Sequence, residues 1–236
     1  LVPHLKDRRV RRALALTIDR ESLTKNILKG GQIPAYAMTP PDTKGYFPPN
    51  KLEFNPVEAK RLMALAGYPE GKDFPETEIL YNTNEAHRKV AVAIQQMWKK
   101  NLNINVTLQN QEWKVYLDRQ REMDYQVSRA GWTGDYPDPN TFLDMWTSWS
   151  QQNQTGWSTP EYDALIRKAA ITKDPAERLE VFQEAEEILM DELPIIPIYI
   201  YTRIYALHPA VKNWHANVLD HHPWKHVDLD LSKLKE

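Results

Sequence analysis

Residues 77–108 read Thr-Glu-Ile-Leu-Tyr-Asn-Thr-Asn-Glu-Ala-His-Arg-Lys-Val-Ala-Val-Ala-Ile-Gln-Gln-Met-Trp-Lys-Lys-Asn-Leu-Asn-Ile-Asn-Val-Thr-Leu. Thr77 to Tyr81 is a short β-prone run and reads as a strand. Asn84 is a capping residue, and the apolar side chains that follow it, Val90, Ile94, Met97 and Trp98, recur at helical spacing. Ile104, Val106 and Leu108 then alternate with polar residues, as a half-buried strand requires. Downstream, a short helix around Trp113 to Leu117 leads into a strand-like run from Tyr125 to Ala130. Alternating strand and helix argues for an α/β domain.

The flanks carry helix signals and breaks. Asp7 is placed to cap a helix bearing Val10, Ala13, Leu14 and Leu16, and Asp19 to cap a second bearing Leu23, Ile27 and Leu28, closed by Gly30-Gly31. Prolines at 34, 40, 41, 48 and 49 mark residues 33–50 as a long ordered surface loop without regular structure. Asn55-Pro56 restarts a helix that Gly67 ends. Asp138-Pro139 opens a short helix, Ser158-Thr159-Pro160-Glu161 reads as a capping box, and Asp174-Pro175 opens a helix bearing Leu179, Phe182, Ala185 and Ile188 that stops at Pro194. Ile195 to Tyr201, broken once by Pro197, is an edge strand or a crossing segment. The remaining residues are strand fragments and polar turns without a covering helix, so we divide the chain into a lobe, residues 1–194, and a crossover and return segment, residues 195–236.

A formal net charge of −2 gives no electrostatic reason to expect nucleic acid or an anionic membrane as partner; small neutral or zwitterionic ligands fit better. No apolar run approaches the roughly 18 residues of a membrane-spanning helix. The absence of cysteine removes thiolate chemistry and disulfides. The chain opens Leu1-Val-Pro-His4 without a start methionine or a charged-then-apolar leader, which reads as an end made by processing or truncation. No phosphate-binding glycine loop, nucleophile elbow or HExxH is present, so the reading is a binder with neither catalysis nor cofactor.

The richest segment is residues 128–142, where a strand runs into a turn bearing Arg129, Trp132, Asp135 and Asp138. A guanidinium can grip a carboxylate by two parallel bonds, a carboxylate can accept from an ammonium group, and ligands of α/β proteins sit outside the carboxyl ends of strands. The bland alternative pairs Arg129 with Asp135 and leaves Asp138 as a helix cap; for Asp138 the cap is preferred. Asp135 and Asp138 as a glycosidase pair have no evident differentiation of acid from base.

With this turn, Tyr81 to His87, Gln95 to Leu108, Gln111-Glu-Trp-Lys114 and Pro194 to Tyr201 together resemble the bacterial oligopeptide-binding proteins of ABC importers, from about residue 7 to the end. The resemblance implies one lobe of a two-lobe, type II periplasmic-binding-protein-like fold, a mixed sheet flanked by helices, with the first lobe absent. It implies that Asp135 receives a peptide's ammonium terminus, that Arg129 and His87 meet its carboxylate end, that Trp113 and Trp132 line side-chain pockets, and that Tyr201 lies near the hinge and the bound backbone. The implied partners are a peptide and a membrane permease, at a periplasmic or cell-surface location. Two alternatives stay open. One is a carbohydrate or other small solute of the same importer class. The other is a metal at His208, His215, His221, His222 and His226 with Asp220 and Asp228, whose spacing follows no known site pattern.

Overall fold

The computed structural model describes residues 2–49, 52–217 and 219–234. Asp7 accepts from the Arg9 amide ahead of α1 (Arg8–Leu16), and Asp19 from the Ser22 amide at α2 (Arg20–Ser22). The second segment departs from the expected α-helix. Leu23–Leu28 winds as a π-helix, the Lys29 amide bonding the Thr24 carbonyl five residues back, and Lys29 itself takes the left-handed conformation (φ 57°) expected of the glycines after it.

The proline-rich loop is also more regular than its sequence suggests. β1 (Ile33–Pro34) pairs antiparallel with β5 (Tyr199–Ile200), a pair short enough to tolerate the missing amide of Pro34. Further on, the buried Glu186 carboxylate accepts from the Thr39 amide and the Tyr46 hydroxyl, both at 2.8 Å, which fastens the loop to the helix that carries Glu186. Asn50, the loop's last residue, lies outside the described residues. Asn55 caps α3 (Pro56–Leu65), and Gly67 follows it at φ 95°.

The central sheet holds three parallel strands in the order β3-β2-β4: β2 (Thr77–Asn82) lies between β3 (Val106–Gln111) and β4 (Val127–Ser128). α4 (Glu85–Leu102) joins β2 to β3, with the Asn84 side chain accepting from the amides of Ala86 and His87. α5 (Trp113–Arg121) joins β3 to β4, capped by Glu112. Ile104 is buried in the lead-in to β3, and β4 is shorter than the run from Tyr125 to Ala130 because only Ile79 and Leu80 face it in register.

The first core joins α1, α3, α4 and the sheet through Leu14, Met63, Ile79, Ile94 and Trp98. A second forms where α6 (Asn140–Leu143), α7 (Pro160–Ile171) and α8 (Pro175–Glu192) meet, through Leu143, Tyr162, Phe182 and Leu189. α7 lacks the expected capping box: its N-cap is Thr159 rather than Ser158, one residue out of register with Glu161, and the Thr159 side chain makes no capping bond. After β5, β6 (Val211–Lys212) pairs with β7 (Asp228–Leu229), and Trp214 stacks on His222 at 3.7 Å. Among the described residues, none beyond Tyr199 belongs to the apolar core clusters.

One pH effect follows from the first core's rim. His4 is buried, its Nε2 2.8 Å from Thr77 Oγ1 and its ring edge-on to Phe74, and burial lowers its pKa. The unfolded chain takes up this proton near pH 6.5, whereas the folded chain resists until lower pH. Stability is therefore fully present above about pH 6.5 and declines as pH falls below it. The urea midpoint is expected to drop between pH 7.5 and 5.5, and His4→Gln to flatten that drop; an equal drop in the variant would clear His4 of the effect.

Candidate functional site

The chain crosses from β2 to β3 in one direction and from β3 back past β2 to β4 in the other. Right-handed crossovers of opposite direction put α4 and α5 on opposite faces, which opens a crevice at the carboxyl ends of β2 and β4. Four side chains meet there. Asn82 ends β2, His87 stands in the first turn of α4, Arg129 follows β4, and Tyr201 follows β5.

Arg129 donates from Nη2 to the Tyr201 hydroxyl and from Nη1 to Asn82 Oδ1 at 3.5 Å. His87 Nδ1 is 2.9 Å from the same Asn82 oxygen, and its Nε2 is 3.3 Å from the Tyr201 hydroxyl. The guanidinium also sits over the Tyr201 ring, 5.7 Å from its centre. Burial, reinforced by the Arg129 charge, holds the His87 pKa down to about 4, against the opposing effect of the Asn82 backbone. The backbone under this group is fixed as well: the Arg129 amide bonds Leu80 O, and the Arg129 carbonyl accepts from the Tyr116 hydroxyl and from Gln120 Nε2. A Cβ on Gly131 would come within 3.2 Å of Arg129 Nη2 and 3.3 Å of the Tyr201 ring, so glycine leaves room for both.

The remaining expected residues sit around this group. Trp113 is 53% exposed and stacks on Tyr116 with ring centres 5.6 Å apart, which links it to Arg129 through one intervening side chain. Trp132 and Asp135 lie further along the turn, and among the described residues no hydrogen bond or ion pair joins them to His87, Arg129 or Tyr201. Trp132 donates from Nε1 to the Thr141 carbonyl and packs against the second core, so its indole anchors the turn. The Asp135 amide bonds Thr141 Oγ1, while its exposed carboxylate has neither ion pair nor hydrogen bond among the described residues. Burial raises the Asp144 pKa, outweighing an Asn140 bond, and the Asp135 charge adds to the rise.

Arg129 does not pair with Asp135; its guanidinium is engaged by Tyr201 and Asn82. Asp138 stands one residue ahead of the N-cap of α6, which is Pro139; its carboxylate accepts from the Asn140 amide and takes a two-bond grip from Arg178. Sequence reading missed Asn82 and Tyr116. Asn82 reads as a turn residue after a strand, and its signal was its place at a carboxyl strand end. In the tail, His222 is spent on Trp214 and on Asp220, 2.9 Å away, and no group of three or more His, Cys, Asp or Glu residues suited to a metal ion occurs among the described residues.

The family model described as bacterial extracellular solute-binding proteins, family 5, middle part, matches residues 2–154. The periplasmic murein peptide-binding protein MppA of Escherichia coli is 42% identical over 218 residues, 89% of this chain and 40% of that protein. The probable deoxycholate-binding periplasmic protein YgiS of Escherichia coli is 38% identical, over 89% of this chain and 40% of that protein. A solved Haemophilus influenzae OppA, in complex with the peptide RPPGFSPFR, superposes with a TM-score of 0.84 at 35% identity, over 94% of this chain and 45% of that one. The chain thus spans about two fifths of the length of the curated relatives it matches. Its α/β architecture is that of a lobe of the type II periplasmic binding fold. The family model covers more than half of the chain, and the fold agrees with that match: the chain belongs to the bacterial extracellular solute-binding proteins, family 5.

Proposed function

We propose that the chain is part of the substrate-binding component of an ABC-type peptide importer, one wall of a site that holds oligopeptides by their termini and backbone for delivery to a membrane permease. The observation that carries this reading is the placement, at one strand end and along the turn that leaves it, of the Arg129 guanidinium beside the His87 imidazole and of the unpaired carboxylate of Asp135. Such an arrangement suits a zwitterion, and it uses only features common to all peptides. Asp135 receives the ammonium terminus, Arg129 and His87 the carboxylate, Tyr201 lies beside the bound backbone, and Trp113 and the free face of Trp132 flank side chains. Binding and release, rather than catalysis, is the activity this geometry serves, in an extracytoplasmic setting.

The boundary at residue 194 belongs to the same proposal. Ile204, Trp224 and Leu231 are 77%, 78% and 69% exposed, an apolar load that supports contact between the segment 195–236 and a first lobe. Two open clefts lie elsewhere: one of about 570 Å³ near Glu76, Glu78 and Asp124, and one of about 810 Å³ between the π-helix and α4. The Arg129 cluster stands on an open edge, which supports an enclosure completed from the opposite side.

Asp135→Asn in the whole protein is expected to weaken peptide binding by roughly 1.5 to 3 kcal/mol, about tenfold to a hundredfold or more. Isothermal calorimetry with a free-amine peptide measures it, and unchanged affinity would remove Asp135 from the ammonium role. A second reading, another carboxylate-bearing solute, is favoured by one observation: a relative at 38% identity is named for deoxycholate rather than for a peptide. Native mass spectrometry of ligand carried through purification separates the two, since a heterogeneous set of peptide masses supports the first and a single non-peptide mass the second.

A further inference from the structure

The cluster at the carboxyl edge is a closed ring of hydrogen bonds whose directions can be assigned. Arginine offers only donors, so Arg129 Nη1 donates to Asn82 Oδ1 and Nη2 to the Tyr201 oxygen. His87 Nδ1 meets that same oxygen at 2.9 Å, and an amide carbonyl oxygen carries no hydrogen to donate, so Nδ1 must carry the hydrogen. In a neutral imidazole the lone pair then lies on Nε2. The Tyr201 hydroxyl, already accepting from Arg129, donates its own hydrogen to that nitrogen across 3.3 Å. Asn82 is only 7% exposed and ends the central strand, so its oxygen is held in place by the sheet.

This geometry has a consequence for any anion. A carboxylate that takes the place of the Tyr201 hydroxyl finds two donors on Arg129 but a lone pair on His87, and two acceptors repel. We propose that Asn82 is a positioning residue which, by fixing the Nδ1–H form of His87, turns the Nε2 lone pair toward the anion site, so that in the acid range where this imidazole titrates a carboxylate entering beside Arg129 binds together with one proton. The proton comes from solvent and forms the Nε2–H bond; no other bond is made or broken. His87 then changes from an obstacle into a second cation on the ligand.

The surroundings agree. Asn82 from β2, Arg129 after β4, and Tyr201 after β5 face the imidazole, with Tyr199 and Tyr116 close to Arg129, while Glu85 and Arg88 stand on the same first turn of α4. Among the described residues no carboxylate bonds either His87 or Arg129, so the ring with no anion bound holds one positive charge and a neutral imidazole. That is the state in which burial and Arg129 hold the imidazole unprotonated.

The inference rests on the anion end of the proposed site and needs no peptide. The test is the nitrogen spectrum of the His87 imidazole in this chain, followed against pH with sodium acetate or with sodium chloride at the same ionic strength. The expected results are an Nδ1–H form at pH 7, loss of that preference in Asn82→Leu, and a His87 midpoint raised by about one pH unit or more in acetate alone, as an opposite charge at bonding distance produces. An Nε2–H form in the unsubstituted chain, or a midpoint that acetate leaves unmoved, would overturn the inference. Both readouts come from the unsubstituted chain, so a failure of Asn82→Leu to fold leaves the decision intact. Trialanine used in place of acetate separates this inference from the peptide reading: a rise with acetate but not with trialanine keeps the proton-coupled anion site and counts against the peptide terminus as its occupant.

Discussion

Replacing Trp98 by alanine is expected to destabilise the chain by about 4 kcal/mol, a large share of the 5 to 15 kcal/mol typical of a domain. Trp98 is 1% exposed, lies on the apolar stripe of α4, and donates from Nε1 to the Leu14 carbonyl of α1 at 3.0 Å. Packing accounts for most of the loss, because the Leu14 carbonyl keeps a second donor in the Thr17 hydroxyl at 3.0 Å and is not stranded. Trp98→Phe retains much of the volume and is expected to cost about 1 to 2 kcal/mol. Urea denaturation of the two variants measures the difference. A loss below about 1 kcal/mol for alanine would mean that the seam between α1 and α4 closes over the cavity. The seam matters for the site because α4 carries His87 in its first turn.

Much of this framework was legible because its causes are local. Trp98, Ile94 and Val90 declare a helix by their spacing, and Asp7, Asp19, Asn55, Asn84 and Asp174 cap helices where the sequence places them, each carboxylate or amide accepting an amide proton within the next three residues. What escaped depends on partners distant in sequence. Nothing near Pro34 signals that Tyr199 lies opposite, and nothing near Leu23 signals a π-helix. In the candidate site, Arg129, His87 and Tyr201 each carry a recognisable chemistry, yet their meeting depends on the strand order β3-β2-β4, which places β4 beside β2 rather than beside β3. The same order gives Asn82 its place between His87 and Arg129. Trp132 shows the opposite limit. An indole in a charged turn reads as a ligand platform, whereas its Nε1–H and much of its ring hold the turn on the second core.

That turn depends on an ion pair, and Arg178→Ala is expected to cost about 3 kcal/mol. Arg178 grips Asp138 through two bonds of 2.8 Å, and the Asp138 side chain is 12% exposed against 27% for Arg178. Burial alone would raise the Asp138 pKa; the bonds from Arg178 and from the Asn140 amide outweigh it and hold the carboxyl below its ordinary value. Removing the arginine leaves that carboxylate in its hollow with one amide and the more distant Lys44, 3.8 Å away and mostly exposed. The partial exposure of Arg178 places the cost at the low end of the range for breaking a buried pair. Replacing both partners, Arg178→Met with Asp138→Leu, should recover most of the loss, since no charge is then left uncompensated. The folded-state pKa of Asp138 is depressed, so its contribution is present above about pH 4 and disappears as pH falls further, which Arg178→Ala should abolish. Urea midpoints of the single and double variants at pH 7 and pH 3.5 give the coupling directly, and a double variant no more stable than Arg178→Ala would show that the pair is not what holds the turn. Asp135 stands three residues before Asp138 on the same turn, so Arg178→Ala in the whole protein should also weaken ligand binding without touching any residue assigned to the ligand.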